Sequence, residues 1–105
     1  MIKLVVDVED YDLSDDLKER LQDRIGGLDD FMNTLDEGHV TVAWEGGPNE
    51  ETSVSAQVWG GGHKFEASDV DWKPATAVQK TRSKLESQIR KAHGKEISDR
   101  DRKRR

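Results

Sequence analysis

The chain has 105 residues, no cysteine, 32% hydrophobic and 37% charged residues, and a formal net charge of −5. That fits one domain with a modest core and a highly charged surface, and it excludes disulfides, thiolate nucleophiles and cysteine-based zinc sites. No apolar run reaches the roughly 18 residues that a membrane-spanning helix needs. The opening Met1-Ile2-Lys3-Leu4 lacks the pattern of a signal peptide, so the expected location is the cytoplasm.

The net charge hides an asymmetry. Residues 1–62 carry four basic and fifteen acidic side chains, a net of −11, whereas residues 63–105 carry thirteen basic and seven acidic, a net of +6. A contrast of this size raises the odds of an anionic partner for the second half.

In chain order, Ile2, Leu4, Val6 and Val8 alternate with Lys3, Val5 and Asp7, which predicts a strand with one apolar face; Val5 suggests that the other side is partly covered. Asp10-Tyr11-Asp12 turns the chain, and Ser14 is a suitable N-cap, with Asp15 and Asp16 where the helix dipole favours negative charge. Leu17, Leu21, Ile25, Leu28, Met32 and Leu35 recur at helical spacing with Phe31 at the stripe's edge; Gly26-Gly27 interrupts the pattern, and residues 36–38 end it. Residues 39–45 form the second strand, with Val40, Val42 and Trp44 inward, and residues 46–51 a loop. Residues 52–59 form the third strand, with Val54, Ala56 and Val58 inward and Trp59 facing out as a candidate for base stacking. Gly60-Gly61-Gly62 is a hairpin turn leading into a fourth strand over 64–68, with Phe65 and Ala67 inward.

Residues 68–71 then turn into a second helix. Asp69 or Asp71 is placed to cap its first turn, Pro74 fits that turn, and Val78, Thr81, Leu85, Ile89 and Ala92 make its buried face. Gly94 is the expected stop, followed by a basic, disordered tail over 96–105. Lys73, Lys80, Lys84, Lys91 and Lys95 follow at steps of seven, four, seven and four, a single stripe beside the buried face. A solvated face is the simplest account of such a stripe; a row of phosphates along it is the functional one. The predicted fold is α+β in the order β-α-β-β-β-α: a four-stranded sheet with both helices, roughly parallel, on one face, as in double-stranded-RNA-binding domains.

Other chemistry finds little support. His39, His63 and His93 lie far apart without metal spacing. The glycine run is not followed by a helix, as a nucleotide phosphate loop would be. Ser14, Ser68 and Ser83 have no histidine at a suggestive spacing. No catalytic residue, metal or cofactor is expected.

Three stretches resemble the ribosome hibernation promoting factor family, which includes the ribosome-associated inhibitor protein Y and is also described as sigma-54 modulation proteins. They are residues 12–31, DLSDDLKERLQDRIGGLDDF; the glycine turn followed by Phe65-Glu66-Ala67-Ser68; and residues 77–91, AVQKTRSKLESQIRK, similar to the family's "AIxxxxxKLERQLxK" helix. The resemblance covers residues 1 to about 95 and the family's short form. It implies a translation-silencing factor, not an enzyme, that binds the small ribosomal subunit through ribosomal RNA phosphates in stress or stationary phase, as a monomer without membrane or DNA partners. By motif, Arg24, Lys84 and Lys91 match its RNA-binding positions; Arg20, Lys80, Arg90 and Lys95 join them by helical geometry. Gly27, Asp30 and Ser87 stand where the family usually carries basic residues, and Arg82 where it is usually apolar. The alternative is a protein–protein regulatory module of the same fold, which the acidic first half would suit.

Overall fold

The computed structural model describes residues 1–9, 12–46 and 50–103, with side chains through residue 44 and from 50 to 92. Its elements are β1 (Lys3–Glu9), α1 (Asp15–Arg24), a 3-10 helix (Gly26–Asp30), β2 (Glu37–Gly46), β3 (Glu51–Gly60), β4 (His63–Asp71) and α2 (Pro74–Lys103). The four strands form one sheet in sequence order. β1 runs parallel to β2, and β2–β3 and β3–β4 are antiparallel. β1, β2 and β4 therefore finish at one end of the sheet. Both helices start from that end, after β1 and after β4, so they run parallel to each other, as the sequence predicts.

Period-2 apolar positions of the strands and period-3.6 positions of the helices meet in one core. Val40, Val42, Val54, Ala56 and Val58 from the sheet pack with Leu17, Leu21, Ile25, Val78, Leu85 and Ile89 from the helices. Ser14 caps α1 by accepting a hydrogen bond from the Leu17 N–H at 3.1 Å. The stripe from Leu17 to Leu35 is buried throughout, but it is not one helix: α1 stops at Gly26-Gly27 and the chain tightens into the 3-10 helix. Glycine favours the break, and the Gly26 carbonyl accepts from the Ile2 N–H at 2.8 Å, tying it to the start of β1. In the turn between β3 and β4, Gly61 has φ +58°, and a Cβ there would meet Thr34 Cβ at 2.5 Å.

Several expectations need correction. Residues 68–71 are not a turn; they extend β4 to Asp71, because Thr52 to Ser55 of β3 continue to pair with them. Asp71 Oδ1 accepts from the Lys73 N–H at 2.9 Å just before α2, while Asp69 Oδ1 accepts from the Val70 N–H at 2.8 Å inside the strand. Trp44 is 47% exposed, not core, because it occupies the last inward position of β2 at the rim of the sheet. Trp59 is half-buried, and the most exposed tryptophan is Trp72, at 67%. Val5 is 63% exposed, since no described element packs on the outer face of the sheet. α2 does not stop at Gly94 and continues to Lys103. One glycine costs a helix only about 1 kcal/mol relative to alanine. Asp10 and Tyr11 of the first predicted turn, residues 47–49 of the loop and residues 104–105 lie outside the described residues.

Candidate nucleic-acid interface

The predicted basic residues fall along two lines, one on each flank of α2. The first follows the groove between the parallel helices. Arg20 and Arg24, one turn apart on α1, line a cleft with Ala75, Thr76, Val78 and Gln79 of α2. Arg20 Nε lies 3.2 Å from Asp16, whereas Arg24 has no ion-pair partner among the described residues. Further along the same groove, Phe31 is covered by two guanidiniums of α2, Arg90 with Cζ 4.9 Å and Arg82 with Cζ 5.9 Å from the ring centroid. Glu86 accepts from both, at 3.2 Å from Arg90 and 3.5 Å from Arg82. Arg82, half-buried, spreads over Phe31 and reaches Glu86.

The second line overhangs β4. Lys80 Nζ lies 2.9 Å from Asp71 and donates to the Val70 carbonyl at 3.4 Å. Lys84 Nζ lies 3.0 Å from Asp69 and donates to the Ser68 carbonyl at 3.0 Å. Gln88 Nε2 donates to the Glu66 carbonyl at 2.9 Å. Three α2 side chains at four-residue steps therefore satisfy three alternate carbonyls of β4. The fit is one of pitch: four helical residues rise about 6.0 Å, close to the ~6.7 Å of two strand residues. β4 is an edge strand, and these side chains close its free edge.

The charges respond. Lys84, then the Val70 N–H, hold the Asp69 carboxyl below its ordinary value. The Lys73 N–H, then Lys80, do the same for Asp71, and Asp71 in turn raises Lys80. Lys80 and Lys84 are thus not free cations. The expectation that Arg20, Arg24, Lys80 and Lys84 border one surface needs revision. The outward ridge of α2, with Ser83 and Ser87, separates the guanidinium groove from the lysine line. Lys91 continues the lysine line, exposed and without an ion-pair partner among the described residues. The Lys95 side chain lies outside the described residues.

Sequence reasoning missed Thr76, Gln79 and Gln88, and it missed the pairing of Lys80 and Lys84 with Asp71 and Asp69. The signal was the four-residue step of 80, 84 and 88 against the two-residue step of 66, 68 and 70, which becomes visible only once β4 is extended past Ser68. Among the described residues no cluster of three or more acidic or histidine side chains is placed to hold a metal ion, and no helix is long and apolar enough to cross a membrane.

Solved structures share the fold, two of them as follows. The Thermus thermophilus protein Y N-terminal domain superposes with a TM-score of 0.74 at 14% identity, over 86% of this chain and 98% of that one. A ribosomal subunit interface protein from Coxiella burnetii superposes with a TM-score of 0.76 at 17% identity, over 89% of this chain and 99% of that one. No curated protein matches the sequence. Residues 4–97 match the family described as sigma 54 modulation protein / S30EA ribosomal protein, and with a match over nearly its whole length the chain belongs to that family.

Proposed function

We propose that the protein is a ribosome-associated, translation-silencing factor of the cytoplasm that binds the small ribosomal subunit through ribosomal RNA phosphates under stress or in stationary phase. Family membership supports ribosome association. The observation that carries the phosphate reading is the cleft between two parallel helices, with Arg20 and Arg24 on its α1 wall, and with Arg90 farther along α2 over Phe31. Guanidiniums spaced along this side of the molecule can grip phosphates by shape, without reading bases. Lys91 extends the positive surface. Lys80 and Lys84 join it only by leaving their carboxylates.

The second reading is a protein–protein regulatory module of the same fold with weakened RNA binding. It is favoured by the neutralisation of Lys80 and Lys84 and by the acidic first half. Gradient sedimentation of a stationary-phase lysate tests the choice. Co-migration with ribosomal particles at low salt, lost in Arg20→Glu/Arg24→Glu, supports RNA binding. A wild-type protein that stays at the top of the gradient replaces that reading with the regulatory module.

A further inference from the structure

The two edges of the sheet are treated differently. The outward carbonyls of β4 are taken by Lys80, Lys84 and Gln88, and the Val70 N–H by Asp69. On β1 the outward groups follow from one bond: the Lys3 N–H donates to the Asp36 carbonyl at 2.9 Å, on the β2 side. Strand alternation then turns the backbone groups of Leu4, Val6 and Val8 away from the sheet. Among the described residues no side chain bonds to them. The same strand exposes apolar surface, with Val5 63% and Val8 43% accessible. A hollow on the outer face lined by Lys3, Val5, His39, Gln57 and Trp59 runs up to this edge.

We propose that the β1 edge is a strand-addition surface for a second copy of this chain, giving a two-fold dimer in place of the expected monomer. The sequence of the strand argues for that occupant, because it complements itself. An antiparallel two-fold centred on Val6 places Val6 opposite Val6 and Leu4 opposite Val8. Those are the residues whose N–H and C=O groups point outward, so each pair exchanges both backbone hydrogen bonds. The same register places Lys3 opposite Glu9 at both ends and Val5 opposite Asp7, with no like charges facing each other. Asp7 is held back by His39, whose Nε2 lies 2.6 Å from its carboxylate. The two sheets join into one, and β4, closed by α2, remains at both outer edges.

A charge swap tests the register. The full chain is followed by sedimentation equilibrium over a concentration series, with the melting temperature recorded for each variant. Lys3→Glu sets Glu against Glu9, and Glu9→Lys sets Lys against Lys3, twice per dimer. Each single variant weakens association by about tenfold. The double variant Lys3→Glu/Glu9→Lys restores opposite charges and returns to within about threefold of wild type. Val8→Pro, which removes an outward donor from an edge strand, abolishes association. A wild type that stays monomeric at millimolar concentration, or a double variant that associates no better than the singles, overturns the proposal.

Discussion

The Lys84 ammonium lies 3.0 Å from the Asp69 carboxylate and 3.0 Å from the Ser68 carbonyl, so one side chain neutralises an acid and closes a strand edge. A phosphate that recruits Lys84 must compete with both. Asp69→Asn/Asp71→Asn is therefore expected to strengthen ribosome or RNA binding a few-fold and to steepen its salt dependence, because two lysines become available as counter-charges. Glu37→Gln/Glu66→Gln, which removes the same charge from the outer face of the sheet, is the control. Filter binding at several salt concentrations reads both. Equal effects of the two variants would show that the lysines are not held back.

The ladder also predicts which charge reversals cost stability. Lys84→Glu removes a bond to Ser68 and sets a negative charge beside Asp69, so its melting temperature falls. Arg24→Glu, exposed and without an ion-pair partner among the described residues, leaves the melting temperature nearly unchanged. Both are expected to weaken ribosome binding, so thermal melts separate the two roles. Equal melting temperatures would mean that the ladder contributes nothing to the fold.

Acid sensitivity follows from the pKa directions. The carboxyls of Asp69 and Asp71 lie below their ordinary value of 3.8 in the fold. Their contribution is therefore fully present above that value and is lost as pH falls through the lower, folded values. Lys80 is raised above 10.5, so its contribution is lost only as pH rises beyond that. The ladder is intact across the neutral range. Because the partner lysines are exposed and the pairs open to solvent, the effect is small. Below about pH 4, Asp69→Ala/Asp71→Ala should lose less stability with falling pH than wild type. Denaturant melts at stepped pH measure this, and parallel curves would contradict it.

Two positions test the packing. Leu85 is fully buried, and Leu85→Ala is expected to cost about 2–5 kcal/mol in chemical denaturation. Gly61→Ala places a Cβ at φ +58° and against Thr34, and about 1–3 kcal/mol is expected from strain at such a site. A denaturation midpoint that barely moves in either variant would show that the site is misassigned.

The sequence by itself determined the element types and the core. Alternation in residues 2–8 and 52–58, and helical spacing from Leu17 to Leu35 and from Val78 to Ile89, already divide each element into a buried and an exposed face. That division follows from local geometry. The polar ladder was not legible, because it depends on how far β4 extends and on which helix flank lies above it. The sequence could space Lys80 and Lys84 along one stripe, but only the packing of α2 on β4 decided that they face Asp71, Asp69 and two carbonyls. Likewise, only the parallel alignment of α1 and α2 brought Arg24 into one cleft with Gln79. Trp44 lost its expected core place for the same reason: inward direction is set by strand periodicity, whereas burial is set by what the other layer covers.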